Sequence, residues 1–231
     1  MKHEEAIRGE IVEIGRRMYD RFFVAANDGN ISARLHDETV LITPTGVSKG
    51  FMTPDDIIRV DLEGNLVSRR AERRPSSETP MHLAVYRARP DVNAVVHAHP
   101  PVATGFSVAG LALDAPILPE IVITVGKIPL VPYGTPAGVE VQNTVAPYVK
   151  DYDALLLANH GALTLGEDLT WAYFKMESLE LYARVWLVAR LLGSENALSA
   201  EDIGKLLDVR ARLGVRGRNP LAGPPSPGAA G

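Results

Sequence analysis

A layered α/β domain is the fold class this sequence predicts, and three patterns predict it. Residues 4–25 place Ile7, Ile11, Ile14, Met18 and Phe22 at the three- and four-residue spacing of an amphipathic helix. Residues 92–99 and 155–159 are short apolar runs, as expected of strands buried on both faces. Residues 168–192 form the longest helical pattern, with Trp171, Phe174, Leu179, Tyr182 and Trp186 supplying bulk. Helices interspersed with strands in this way stack as layers around a sheet.

The first helix stops before Asn27-Asp28-Gly29-Asn30, a cluster of turn formers. Residues 31–34 and 39–43 read as short strands, and TPTGVSKG at 43–50 as a loop punctuated by Pro and Gly. Residues 57–61 and 66–67 read as a hairpin across Glu63-Gly64-Asn65. Arg69, Arg70, Arg73 and Arg74 read as a solvated basic loop. A helix begins near Thr79-Pro80, because proline is tolerated in the first helical turn, and Pro90-Asp91 ends it. Residues 121–125 and 128–131 are expected as strands, and 139–149 and 199–213 as helices. Residues 214–231 are rich in Gly, Pro and Ala and are expected to be a disordered tail after a single domain at 1–213.

The chain has 231 residues, enough for one sizeable core. Its composition, 46% hydrophobic and 23% charged, is that of a globular protein. A net charge of -4 gives no general pull toward nucleic acid or anionic membranes. The absence of cysteine excludes disulfides, thiolate metal sites and Cys nucleophiles, so any metal must sit on nitrogen and oxygen. The charged start and the lack of a membrane-length apolar run point to a cytoplasmic protein.

The chemistry-bearing residues begin with VVHAHPP, which sets His97 and His99 two apart on an expected strand. Side chains at that spacing share a face, roughly 6.6–7 Å apart at Cα, and two imidazoles can then meet at one metal. Two satisfied histidines at a buried strand end are the alternative. His160 stands at the end of the run LLLANHG, before an expected turn glycine, Gly161. Three histidines with an open position describe a catalytic metal site. His3 and His36 read as surface residues, and His82 as packing or as support behind the site. Glu78, in SSETP, is either a carboxylate favoured by a helix start or an acid/base beside a metal. Ser76, Ser77, Thr45-Gly46 and Gly29-Asn30 offer hydroxyls and backbone N–H groups suited to a phosphate, or are ordinary turn chemistry.

Six segments stand together in one order: GNIS at 29–32, TPTGVSKG at 43–50, SSETPMH at 76–82, VVHAHPP at 96–101, IPLVPYGTP at 128–136 and NHG at 159–161. In this the chain resembles the class II aldolase/adducin family over about residues 5–190. The resemblance implies a three-layer α/β/α sandwich around a central, largely antiparallel sheet. It implies His97, His99 and His160 as ligands of one divalent ion per subunit, Zn2+ with Mn2+ or Co2+ as alternatives. Glu78 becomes the acid/base and a fourth ligand when substrate is absent. Gly29, Asn30, Thr45, Gly46, Ser76 and Ser77 become the phosphate-binding set. The implied reaction is reversible cleavage of a ketose 1-phosphate, of the L-fuculose 1-phosphate type, to dihydroxyacetone phosphate and an aldehyde. The implied assembly is a homotetramer with active sites at subunit interfaces.

Two positions depart from the family's aldolases: Glu120 stands where a tyrosine reaches into the neighbouring site, and Pro136 where a phenylalanine follows the PY motif. Glu120 is then a supporting or interface residue or a replacement proton donor. A sugar-phosphate dehydratase, an epimerase and a sugar-acid-phosphate decarboxylase are alternatives on the same scaffold, although the epimerases carry aspartate at the place of Glu78. A non-catalytic adducin-like module lacks an intact metal site, whereas all three histidines and Glu78 are present here.

Overall fold

The computed structural model describes residues 2–222. Among them, eight strands form one sheet: β1 (Asn30–Arg34), β2 (Val40–Ile42), β3 (Ile58–Val60), β4 (Leu66–Ser68), β5 (Ala94–Ala98), β6 (Leu130–Val131), β7 (Ala154–Leu157) and β8 (Gly161–Gly166). Their spatial order is β4-β3-β2-β1-β5-β8-β7-β6. Every neighbouring pair is antiparallel except β6 and β7. The helices are α1 (Lys2–Asp20), α2 (Thr79–Ala88), α3 (Pro101–Val108), α4 (Pro119–Thr124), α5 (Val139–Val145), α6 (Leu169–Leu191) and α7 (Ala200–Arg212).

Strand alternation divides the apolar side chains between two layers. Ile31, Ala33, Val96, Ala98, Leu156 and Ala162 join Ile11, Ile14 and Met18 of α1 and Ala172, Met176 and Leu179 of α6. Val95, Leu155, Leu163 and Leu165 face the other way, onto Met81, Val85 and Tyr86 of α2 and Val141 and Val145 of α5. The chain is therefore the expected three-layer sandwich around a largely antiparallel sheet. Its helix starts obey local chemistry: the Asp168 carboxylate accepts from the Trp171 N–H (2.7 Å), and the Ser199 hydroxyl from that of Asp202 (3.1 Å).

Several expected elements differ. Residues 121–125 are not a strand: most of them lie in α4, which opens on Pro119 and closes where the Gly126 N–H reaches the Ile121 carbonyl at 2.7 Å. The run of β-branched residues favours a strand, but Pro119 and Gly126 punctuate a helix, and burial of Ile121, Val122 and Val125 holds it. Only Leu130 and Val131 of residues 128–131 are strand, and α5 ends at Val145. Neither α3 nor β8 was evident in the sequence.

The expected disorder from Gly214 is corrected for residues 214–222, and 223–231 lie outside the described residues. Polar bonds fix that segment where apolar area is scarce. The Arg210 guanidinium donates to the carbonyls of Thr124, Arg216 and Gly217, and the Asn219 amide to that of Val122. The Arg218 N–H donates to Asp153 at 2.9 Å. Asp153 is only 2% exposed and also accepts from Arg89 (2.9 Å) and Lys175 (2.7 Å).

Asp153→Ala leaves the Lys175 ammonium buried with only the Leu165 carbonyl as partner. The expected loss is about 3 kcal/mol of unfolding free energy, from the general cost of orphaning a buried charge. Urea titration measures it, and a loss below about 1 kcal/mol would show that Asp153 does not hold these cations.

Candidate metal centre

β5 lies between β1 and β8, so His97 sits opposite Asn30 on one side and Leu163 on the other. Ala94, Val96 and Ala98 point toward α1 and α6, which leaves Val95 and His97 on the face covered by α2. His99 follows the strand end, where its backbone N–H donates to the Phe23 carbonyl at 2.8 Å. The two imidazoles do meet: their Nε2 atoms are 3.1 Å apart. His160 occupies the turn joining β7 to β8, after Asn159 in the left-handed region (φ 55°). Gly161 is the first residue of β8, not part of that turn. A Cβ there would lie 2.5 Å from the Ala98 carbonyl oxygen and 2.6 Å from the His99 ring, so only glycine lets the third histidine approach the other two.

Glu78 immediately precedes α2 but makes no capping bond to it. Its carboxylate turns inward, with Oε2 2.8 Å from the Asn30 amide nitrogen and 3.2 Å from His97 Nε2. Oε1 lies 3.3 Å from His160 Nε2 and is buried without a hydrogen-bond partner. Favour toward the helix start therefore does not account for where this side chain goes.

Burial and charge act against each other in this cluster. Burial raises the Glu78 pKa, but the attraction and hydrogen bond from His97, with His160 and Asn30, outweigh it and hold the carboxyl well below the usual range. His97 is correspondingly held above the ordinary histidine value, because the Glu78 charge overcomes its complete burial. Burial and the neighbouring charge of His97 push both His99 and His160 down to about 4, so each offers a bare nitrogen at neutral pH.

This donor set fits a divalent cation. Ligand nitrogens of His97, His99 and His160 lie within 4.8 Å of one another. Two ligands each about 2.0–2.1 Å from a tetrahedral zinc stand roughly 3.3–3.4 Å apart, close to the 3.1–3.3 Å separations found here. Two of the remaining nitrogens have supporting partners of the kind that orient metal-binding imidazoles, while His160 Nδ1 is buried without one. His97 Nδ1 donates to the Ala162 carbonyl at 2.9 Å, and His99 Nδ1 is 3.5 Å from an Asp28 carboxylate oxygen.

A cleft of ≈ 190 Å³ opens beside the histidines. It is smaller than the roughly 300 Å³ at which drug-sized pockets begin, so it suits a small polar ligand. Gly29, Asn30, Thr45, Ser76 and Ser77 line it with Glu78, His99 and His160, although their segments are far apart in sequence. Gly46 adjoins Thr45 with φ 73° but is not part of the lining. Asn27, Asp28 and Pro136 line it too. Glu120 is exposed on α4 and does not reach the cleft of its own chain.

Sequence reasoning assigned no role to Lys49, which is buried and donates to the carbonyls of Asn27 (3.0 Å) and Val47 (2.8 Å), tying two cleft loops together. Burial brings its pKa down to about 8 against the pull of Asp28 and Glu78. Ser32 and Tyr86 also went unremarked. His82 is fully buried and bonds both Asn30 and Ser32. The four-residue step from Glu78 to His82 was the available signal, since it puts both on one helix face.

Such a site is of the kind that holds a divalent cation through nitrogen and oxygen, with room alongside for a small substrate. Comparison with known proteins gives the family. The sequence model of the class II aldolase and adducin N-terminal domain matches residues 9–187, and the chain belongs to that family. It is 39% identical to an L-fuculose phosphate aldolase of Methanococcus maripaludis, over 76% of this chain and 93% of the relative. It is 35% identical to a 3-oxo-tetronate 4-phosphate decarboxylase of Pectobacterium atrosepticum, over 89% and 94%. An L-fuculose 1-phosphate aldolase of known structure superposes with a TM-score of 0.82 at 28% identity, covering 88% of this chain and 95% of its own.

Three substitutions test the centre. His97→Ala and His99→Ala are each expected to abolish tight binding of one Zn2+ per chain, measured by elemental analysis after dialysis. Gly161→Ala is expected to weaken binding at least tenfold by displacing His99, with the fold retained by circular dichroism. Full occupancy in both histidine variants would refute the centre.

Proposed function

We propose that the protein is a divalent-metal-dependent carbon–carbon lyase that cleaves a ketose 1-phosphate, of the L-fuculose 1-phosphate type, to dihydroxyacetone phosphate and an aldehyde. The observation that carries this reading is the meeting of three imidazoles and one buried carboxylate beside a cleft lined with hydroxyls and backbone amides. A divalent ion held by His97, His99 and His160, with Glu78 as a further ligand before substrate enters, supplies positive charge where negative charge develops on the substrate's carbonyl oxygen. Zn2+ suits this donor set, as do Mn2+ and Co2+.

The remaining work falls to the chain. Gly29, Asn30, Thr45, Ser76 and Ser77, which line the cleft, bind the phosphate through hydroxyls and N–H groups, with Gly46 shaping the turn beside Thr45. The Ser76 hydroxyl accepts from the Glu78 N–H at 3.2 Å, which leaves its own proton to donate to an anion. Fixing the phosphate aims the reacting carbon at Glu78. When the carbon–carbon bond breaks, its electron pair stays on that carbon, and Glu78, after taking a proton from solvent, delivers that proton to quench it. Oε2 is engaged by Asn30, so Oε1 is the atom that carries the proton. The hydroxyl that becomes the aldehyde must also lose a proton. Glu120, exposed on α4, meets that need from a neighbouring subunit in a homotetramer. No described helix is long and apolar enough to cross a membrane, in keeping with a cytoplasmic enzyme.

A second reading is decarboxylation of a 3-oxo sugar-acid phosphate. It is favoured by the decarboxylase relative, whose match spans more of this chain. Carbon dioxide leaves without a proton to surrender, so Glu78 alone completes that reaction.

Metal-loaded protein offered ketose 1-phosphates and 3-oxo sugar-acid phosphates distinguishes the two. Exchange of a dihydroxyacetone phosphate proton with solvent deuterium marks the aldolase, and release of carbon dioxide marks the decarboxylase. Absence of both activities would refute the lyase assignment. Glu78→Gln should slow the proton step at least 100-fold, since the amide has no usable acid/base pair. Wild-type exchange in a folded, metal-bound variant would remove Glu78 from the reaction. Replacing Ser76 and Ser77 together by Ala should raise KM for phosphorylated substrates about tenfold, a loss of roughly 1.4 kcal/mol. Equal turnover of unphosphorylated sugars by the wild type would show that the cleft does not read phosphate.

A further inference from the structure

Four buried polar side chains connect the carboxylate of Glu78 to the interior of the α2 layer. β1 presents Asn30 and Ser32 on one face, two residues apart, and Glu78, just before α2, is followed within it by His82 and Tyr86 at four-residue intervals. The two rows interlock. The Asn30 amide donates to Glu78 Oε2 at 2.8 Å. Its oxygen is 2.5 Å from His82 Nε2, and His82 Nδ1 is 2.6 Å from the Ser32 hydroxyl. That hydroxyl is 2.7 Å from the Tyr86 phenol. Exposures run from 0% at Ser32 and His82 to 8% at Glu78.

The donors in this chain have one consistent direction. An ionised carboxylate only accepts, so Asn30 must turn its NH2 toward Glu78 and its oxygen toward His82. His82 Nε2 must then donate. The ring is fully buried and touches no carboxylate, so it is neutral and carries one proton. Its Nδ1 therefore accepts from Ser32, and Ser32 accepts from Tyr86.

We propose that His82 is a positioning residue for Glu78: through Asn30 it fixes which end of the amide meets the carboxylate, keeping Oε2 engaged and leaving Oε1 to carry the proton. The proposal rests on the acid/base role of Glu78 given above. Without the His82 donor, the amide oxygen loses its buried partner and the carboxylate alone holds the amide, which is then free to shift and carry Oε2 from its working position.

The wiring is tested apart from catalysis. Long-range proton–nitrogen correlation on 15N-labelled, Zn2+-loaded wild type should show His82 with Nε2 protonated and Nδ1 bare at pH 7. The opposite tautomer overturns the proposal. His82→Phe, which keeps a ring in the space, should lower kcat about 10- to 100-fold, the usual effect of losing an orienting partner. KM should stay within twofold and metal content at one per chain. His82→Gln, whose amide can donate to Asn30, should recover part of kcat. Unchanged kcat in His82→Phe, or a parallel change of kcat, KM and metal content, overturns the proposal. Should His82→Phe fail to fold, Ser32→Ala takes its place, with a mixed His82 tautomer and a several-fold lower kcat expected at unchanged KM. Unaltered tautomer and kcat in that variant count against the proposal. Glu78→Gln separates the two ideas: retained activity there refutes the acid/base role, while the tautomer still reports the wiring.

Discussion

The antiparallel pairing of β5 with β1 on one side and β8 on the other fixes where every polar group of the centre can stand. It sets Asn30 opposite His97 and Ala98 opposite Ala162, one residue beyond the glycine that follows His160. Side chains alternate along a strand, so a slip of one residue in β1 would carry Asn30 and Ser32 to the α1 and α6 face and put Ile31 among the polar groups. The apolar core forbids that slip. Ile31, Val96 and Ala98 are all at 0% exposure and Ala33 at 4%, packed against α1 and α6. The hydrophobic alternation that holds the sheet in register thereby holds the polar constellation on its other face.

The same arrangement reconciles burial with charge. Glu78 is 8% exposed and His97 0%, a setting in which an isolated charge costs several kcal/mol. The cost is offset by the Asn30 amide, by mutual attraction with His97, and by the nearness of His160. Neighbouring imidazoles held neutral by burial add lone pairs without adding repulsion. Imidazole nitrogens must be bare to hold a cation, so a divalent ion bound here would compete with protons for the histidines and its affinity would fall in acid.

How much of this was legible in the sequence depended on the range of the interactions involved. Periodicity placed α1, α2, α6 and α7, because each buries a face whose spacing can be read along a few turns. His97 and His99 were legible as neighbours because a strand's two-residue period is local. The run from Ile121 to Val125 misled because β-branching outweighed Pro119 and Gly126, which mark the ends of α4. β8 was hidden by its bounding glycines. Gly161 is required by contact with Ala98 and His99, residues more than sixty positions away, and Gly166 by close approach to the start of α6. Ordering of residues 214–222 was likewise invisible, because it depends on carbonyls of α4 and on Asp153, not on composition. The cleft unites residues 27–30, 44–45, 76–78 and 136, and only motif order, not local physics, hinted that they meet.

Aldol cleavage and decarboxylation of a 3-oxo acid make the same demand at one point. Each leaves an electron pair on a carbon beside a carbonyl, and each is eased by positive charge at that oxygen and completed by one delivered proton. Three histidines around one cation position and a single buried carboxylate meet that shared demand, and relatives bearing both names match most of this chain. The reactions differ in what leaves. An aldehyde requires a second group to receive its hydroxyl proton, whereas carbon dioxide requires none. The histidine cluster and Glu78 are indifferent to that distinction. Under the proposed function it would fall instead to other groups around the cleft, which Pro136 lines, and to Glu120 only through a second subunit, because it stands outside the cleft of its own chain. Under the proposed function, a choice between the two reactions therefore rests on groups outside the histidine cluster, while the sheet register and the buried carboxylate serve the demand common to both.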